Sequence, residues 1–383
     1  MNSPFLNEDH FRLREKAREF AETEIRPLAR ELDTQEQFSV ALTQKMGAMG
    51  WLGIYIPEKY GGQGKDYRSL VLLIEELARV DSSQAATIAA HNSLGIGPIY
   101  QFGTEEQKMK YLPLLSAGKH LWAFGLTETN AGSDSRNTET RAELVDGTWI
   151  INGSKVFISN ASSEISAGVS LQAITGTTGK GEKELSVILL ERDTPGYHVE
   201  RVLGKMMWRA SDTGILSFEN CRVPASNILG ERGKGAQVML QTLDSGRLTI
   251  AAIGLGLAQG AYEMALAYAG KRVQFGKPIS KFQAISFKLA DMATRIEAAR
   301  SLLYYAVWLK DNGKPFGKES AMAKLYCSEV AHEVVDNAVQ IHGAWGLVNA
   351  YEVERFYRDQ RILEIGEGTS EILRLVISRH IGV

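Results

Sequence analysis

The chain has 383 residues, 44% apolar and 23% charged, with a formal net charge of −2. This is ordinary globular composition, long enough for two or three subdomains, and its charge gives no electrostatic case for nucleic acid or an anionic membrane. No run of about 18 apolar residues marks a membrane span, and Cys221 and Cys327 are too few for a disulfide framework and lack metal-ligand spacing.

Met1 to Arg12 has neither the apolar stretch of a signal peptide nor the acid-poor character of a transit peptide. With so few cysteines, a reducing cytoplasm is expected, or a mitochondrial matrix if a leader has been removed. From Asn7 to Lys119 the pattern is helical. Phe11, Leu13, Ala17, Phe20, Ala21 and Ile25 recur at three-to-four spacing, and Pro27 interrupts the run. Pro57 to Gly62 is a turn cluster. Tyr67–Val80 and Ser83–Gly103 read as two largely apolar core helices.

The period changes after Leu126. Thr138 to Ser159 alternates and carries two hairpin signals, Asp146-Gly147 and Asn152-Gly153. Val169–Ile174, Leu185–Leu190 and Ile215–Val223 are further strands, with a turn at Asp193-Thr194-Pro195-Gly196. Helical periodicity returns from Gly233, with Val238–Ala269, Lys281–Leu309 and Lys318–Ile341 long enough for a bundle. The fold class is therefore α+β and multidomain: a helical domain over 1–119, a β domain over 120–232 and a helical bundle over 233–383. This is not the alternation of a nucleotide-binding parallel sheet. Gly254-Leu255-Gly256-Leu257-Ala258-Gln259-Gly260 imitates a dinucleotide fingerprint, but it follows no strand and its spacing is one residue too long. Close helix packing explains it better.

Two stretches carry candidate chemistry. Phe124 to Asp134 supplies hydroxyls and backbone N–H groups on an irregular loop, suited to a planar heteroaromatic ring; alone, it also reads as a capped turn. Near the end, Glu367 stands between Gly366 and Gly368. Thr369 or Ser370 is placed to cap a helix, and Glu371 falls in its first turn. Ile372, Leu373, Leu375, Val376 and Ile377 should give that helix a buried face. A carboxylate held this way suits a general base raised in pKa by burial. The same residues also read as a Gly-rich turn with a solvated Glu.

Seven stretches in order resemble the acyl-CoA dehydrogenase family over essentially the whole chain. They are Pro57–Gly62, Leu126–Asp134, Trp208–Thr213, Leu243–Arg247, Arg272–Gly276, Gln340–Gly343 and Glu367–Thr369. The resemblance implies an N-terminal helical domain, a central β-barrel-like domain and a C-terminal four-helix bundle. It also implies FAD, an acyl-CoA substrate, an electron-transfer flavoprotein as acceptor, and a homotetramer built as a dimer of dimers. Matched by motif, Phe124, Leu126, Thr127, Ser133, Phe157 and Ser159 border the flavin ring. Arg272, Phe275 and the Gln340–Gly343 loop match positions that reach the pyrophosphate and adenine side from another subunit, although Ala344 stands where a second Gly is common, and Gln283 is a further cofactor position. Thr369 and Glu371 return to the cofactor of their own subunit. Asp244 and Arg247 match positions at the CoA portion, and Arg247 also reads as an ion pair at a helix start. Ser133, Gly368, His91 and Gly366 complete the substrate positions.

The implied reaction is α,β-dehydrogenation of an acyl thioester, with Glu367 as the base. The resemblance places two donors on the thioester oxygen, the Glu367 N–H and a ribityl hydroxyl, each worth about 3–4 kcal/mol. Some relatives carry the base one residue before the matched Arg; here that residue is Gly246, which cannot act. Many straight-chain enzymes have Tyr where this chain has Gly366, so a branched or cyclic acyl group is expected unless Met206, Trp208 or His91 refills the space. His91 suits either a polar acyl tail or a structural role. Competing readings are an oxidase or monooxygenase on the same fold, a non-catalytic acyl-thioester binder, and a dehydrogenase of carrier-protein thioesters.

Overall fold

The computed structural model describes residues 4–383; Met1, Asn2 and Ser3 of the N-terminal stretch lie outside the described residues. α1 (Glu8–Phe20) begins at Asn7, whose side chain accepts the His10 N–H while His10 Nδ1 accepts the Asn7 N–H. A π turn at Ala21–Ile25 leads into α2 (Arg26–Gln35). Pro27 therefore opens a helix, in its first turn where a missing N–H is harmless. α3 (Val40–Ala48) follows, and the Pro57–Gly62 cluster holds a 3-10 turn at Glu58–Tyr60. α4 (Tyr67–Ala78) is capped by Asp66. The helix expected over Ser83–Gly103 is divided into α5 (Ser82–Ala89), a π turn at Ala90–Ile96 and α6 (Gly97–Phe102). α7 (Glu105–Ser116) completes this part.

The β domain contains β1 (Leu121–Gly125), β2 (Arg141–Val145), β3 (Thr148–Ser159), β4 (Ser166–Thr177), β5 (Lys183–Glu191), β6 (Tyr197–Arg201), β7 (Thr213–Pro224) and β8 (Ile228–Leu229). They form one mixed sheet in the order β6-β7-β3-β2-β4-β5-β8, with β1 paired in parallel to β4. β6 and β8 end the path, so the barrel-like sheet is not a closed ring of pairs. Asp146-Gly147 makes the β2–β3 hairpin, both residues having positive φ. Asn152-Gly153 is not a turn. It lies within β3, where the register against β7 skips between Ile151 and Gly153, and a Cβ on Gly153 would fall 2.6 Å from Thr140. The glycine marks a bulge and a close backbone approach.

The last part contains α8 (Gly235–Lys271), a short hairpin of β9 (Val273–Gln274) and β10 (Lys277–Pro278), α9 (Gln283–Asp311), α10 (Gly317–His342), α11 (Val353–Asp359) and α12 (Ser370–Ile381). α8, α9 and α10 pack on one another, and α12 packs on α10. By length and composition α8 is apolar enough to cross a membrane, although its apolar residues do not form one unbroken run. It is the central core helix, packed on α4, α9 and α10. The glycines of the false fingerprint make that packing close. A Cβ at Gly254 would lie 3.0 Å from the Cys327 carbonyl oxygen; at Gly256 and Gly260 it would lie 2.3 and 2.2 Å from those of Glu75 and Arg79.

One apolar core runs from Leu13 to Leu363 through both helical parts. A second fills the β domain around Trp149, Leu171 and Phe218. A third forms the seam between them, with Ile96, Trp122, Leu126, Val187 and Met239. The candidate site lies along this seam.

Candidate active site

After the 3-10 turn Gln360–Glu364, the Ile365 and Gly366 N–H groups both donate to the Ile362 carbonyl oxygen. The chain then reverses through Glu367 at φ +54 and Gly368 at φ +99, and Thr369 caps α12 by accepting the Ile372 N–H. A non-glycine residue held at positive φ costs of order 1–3 kcal/mol and is characteristic of functional loops. In α12 only Leu373, of the five apolar residues expected to be buried, is buried; Leu375 is exposed.

The turn aims Glu367 at α8, where Gly246 leaves room for it. A Cβ on Gly246 would lie 2.2 Å from Glu367 Oε2 and 2.9 Å from Leu94 Cδ2. Oε2 is enclosed and has no hydrogen-bond partner among the described residues. Burial pushes the carboxyl up to about 7, against the pull of Lys324 and Arg247. Arg247 is buried, pairs with Asp244 at 2.6 Å and leaves Nε unpartnered. The pair lies inside α8, well past its start at Gly235. Lys324 of α10 donates to the Gly368 carbonyl oxygen at 2.5 Å. Tyr67 OH donates to the Ser245 carbonyl oxygen at 2.9 Å, which seats α4 beside the same stretch of α8.

The π turn Ala90–Ile96 joins this wall to the sheet. Its Ser93 hydroxyl meets Thr249 Oγ1 of α8 at 3.2 Å, and the turn packs on β1, which carries Phe124. The loop after β1 is pinned from behind. Lys155 donates to the Leu126 carbonyl oxygen at 3.0 Å and to Glu128 at 2.7 Å; Glu128 also accepts the Glu139 and Thr140 N–H groups. The Val156 N–H donates to the Thr127 carbonyl oxygen at 2.9 Å. Beside it the β3–β7 register skips between Lys155 and Ile158, so Phe157 takes φ +59 and stands 70% exposed. Ser159 returns to register opposite Thr213. Leu126 is buried, Thr127 half-buried and Ser133 exposed on the loop.

The remaining positions divide into two groups. Thr369 and Glu371 line a cavity of about 250 Å³ with Ser370, Arg361 and Arg374. Arg272, Phe275, Gln283, Gln340 and Gly343 are all exposed, away from Glu367, at the α8–α9 connection and the end of α10. Tyr268 stacks on His342 at 4.4 Å, bringing the ends of α8 and α10 together. Phe275, 93% exposed, tips the β9–β10 hairpin. Of the two roles open to His91, its surroundings fit the structural one. The side chain is fully buried; Nε2–H donates to the Leu115 carbonyl oxygen and Nδ1 accepts the Trp122 N–H. Burial lowers its pKa to about 4, so it is a neutral structural histidine.

Three family models match consecutive parts of the chain: Acyl-CoA dehydrogenase, N-terminal domain, over residues 7–119; middle domain, over 123–221; and C-terminal domain, over 233–382. The chain belongs to the acyl-CoA dehydrogenase family. It is 46% identical to a probable acyl-CoA dehydrogenase of Bacillus subtilis, over 98% of each chain. The solved butyryl-CoA dehydrogenase of Megasphaera elsdenii is 41% identical, with a TM-score of 0.95 over the full length of both. A chain in a structure of the electron transferring flavoprotein of Acidaminococcus fermentans is 43% identical, also at 0.95 over both full lengths. Members are oxidoreductases and FAD flavoproteins. The residues present fit such a group. An outward phenyl ring and a hydroxyl-bearing loop meet at one end of the sheet, suited to a planar ring with polar edges, and Trp208 Nε1 is buried without a partner among the described residues.

Sequence reasoning missed Lys324 and Lys155, although each had a signal. Lys324 falls in phase with buried Ser320, Cys327 and Ser328 on α10. Lys155 falls on the inward phase of β3, with Trp149 and Ile151.

Proposed function

We propose that this protein dehydrogenates a short, branched or cyclic acyl-CoA between Cα and Cβ, with Glu367 as the base. The observation that carries this is the Glu367 carboxylate, set over Gly246 with its Oε2 enclosed, where burial raises its pKa to about 7. FAD, when bound, accepts the hydride leaving Cβ. Glu367 takes the α-proton onto a carboxylate oxygen that has no competing partner among the described residues. Its N–H has no hydrogen-bond partner among the described residues and is available to the thioester oxygen. Phe124, Leu126, Thr127, Ser133, Phe157 and Ser159 would hold the flavin ring, and Thr369 and Glu371 the rest of that cofactor. Arg272, Phe275, Gln283, Gln340 and Gly343 serve a neighbouring subunit's cofactor in a homotetramer; their exposure in a single chain supports this. An electron-transfer flavoprotein is the acceptor, and the cytoplasm the compartment.

The substrate reading rests on Gly366. The three atoms nearest to a Cβ there would all belong to Ile362, at 3.5–3.6 Å, ordinary van der Waals distances. A side chain therefore would not clash at its base. The test is anaerobic titration of the purified protein with butyryl, octanoyl, isobutyryl, isovaleryl, 2-methylbutyryl, cyclohexanecarbonyl and glutaryl CoA, followed at the flavin band. Bleaching by branched or cyclic members is expected. Gly366→Tyr should then favour linear chains; an unchanged profile would refute the role of Gly366. A yellow protein bleached by none of them would reject these acyl-CoAs as substrates.

A further inference from the structure

Lys324 occupies the apolar face of α10 and is 0% exposed, among Ala321, Ala323, Cys327 and Ser328. A buried ammonium group is unfavourable unless it is paired or hydrogen-bonded. Among the described residues, no carboxylate lies close enough to Lys324 to form an ion pair. It donates instead to the carbonyl oxygen of Gly368, the residue after the base. That peptide belongs to the strained pair Glu367 and Gly368, both at positive φ.

Few charges face Glu367. α8 supplies Arg247, already paired with Asp244, and α4 supplies the Tyr67 hydroxyl. Glu364, on the preceding turn, is bonded to Arg361 and faces His332 at 3.4 Å. Glu371, on α12, is exposed. Lys324 thus faces Glu367 as a buried cation without a carboxylate partner of its own.

We infer that Lys324 is the positioning residue for the catalytic base, holding the turn that carries Glu367 and supplying the positive field in which its carboxylate ionises. The inference rests on the reading of Glu367 as the base. It is supported by the direction of both shifts: burial brings Lys324 down to about 8 while Glu367 pulls it up, and Lys324 in turn opposes the rise of Glu367. The hydrogen bond and the charge are separable. Lys324→Met loses both, Lys324→Gln keeps a donor for Gly368, and Lys324→Arg keeps the charge.

The experiment measures the pH dependence of flavin reduction in FAD-loaded wild type and these variants, using whichever acyl-CoA bleaches the wild type. Carbon-13 NMR of carboxyl-labelled glutamate, assigned with Glu367→Gln, follows ionisation of the base independently of turnover. Losing a nearby cation should move the Glu367 midpoint up by about one pH unit in the Met and Gln variants. The Arg variant should stay near the wild type. The high-pH plateau should fall about tenfold or more in the Met variant and be largely kept in the Gln variant, because geometry controls that limb. Equal midpoints in all four proteins would overturn the field role, and an unchanged plateau in Lys324→Met would overturn the positioning role. If Lys324→Met does not fold, Gln against Arg decides by the midpoint alone. A wild type whose reduction survives Glu367→Gln would instead reject Glu367 as the base.

Discussion

As the proposed base, Glu367 must be ionised to take a proton, yet its burial favours the neutral acid. Its displacement from 4.5 to about 7 sets two pH trends of opposite sign. Only the carboxylate accepts the α-proton, so flavin reduction in the free enzyme should rise with pH through about 7, as read by anaerobic stopped flow. The folded state binds this proton more tightly than the unfolded chain does, so the group's contribution to stability falls as pH rises from about 4.5 to 7. Glu367→Gln should therefore match the wild-type melting temperature below pH 4.5 and exceed it above pH 7. Flavin reduction should drop by about 10²–10⁴-fold. The neighbouring Gly246 makes a sharper steric test. Since its Cβ would fall 2.2 Å from Oε2, Gly246→Ala must displace the carboxylate. The reduction rate should fall about tenfold or more, for a stability cost of about 1–3 kcal/mol by chemical denaturation. At this scale the turn and the cap at Thr369 were legible because glycines, a cap residue and a first-turn acid are local signals, while the proposed role of Glu367 as base came from the family resemblance. The space over Gly246 was not, because it depends on two segments more than a hundred residues apart.

Among the elements, long helices and strands were readable from period, whereas irregularities were not. The π turns at Ala21–Ile25 and Ala90–Ile96 leave a helical pattern nearly intact, since they add one residue per turn. Asn152-Gly153 has hairpin chemistry, but β7 continues the pairing across it and makes it a bulge. The second bulge in β3, at Val156-Phe157, turns Phe157 outward; the Lys155–Glu128 pair fixes the strand just before it. Both partners are buried, so removing one leaves the other uncompensated. Lys155→Met should cost about 3–5 kcal/mol by denaturant unfolding and weaken FAD retention on gel filtration. The double variant Glu128→Gln with Lys155→Met should recover part of the stability. A Lys155→Met protein as stable as the wild type would show that the pair does not hold the loop.

Across the whole molecule, the order helical, β, helical invites a picture of three separate bodies, but the first and last share one core. Small residues allow this: α8 approaches α4 so closely that Gly256 and Gly260 have no room for a Cβ. Buried polar links cross the same boundary. Glu75 of α4 accepts Arg300 at 3.0 Å and Tyr304 OH at 2.8 Å from α9, and Asp81 faces Arg355 of α11 at 3.2 Å. No local pattern reports such a merger, because each helix shows only that it has an apolar face. The consequence is cooperative: α4 and α8 should exchange their amide hydrogens through one shared opening, with the β domain free to open by another. Arg355→Met tests this. It leaves Asp81, 0% exposed, without its cation, and should cost about 3–5 kcal/mol. Hydrogen exchange should then accelerate by a common factor in α4, α5 and α8, including residues of α8 remote from position 355, while β4 and β5 keep their protection. Acceleration confined to α5 and α11 would mean that the helical parts open independently, and that Glu367 rests on a framework less unified than the shared core requires.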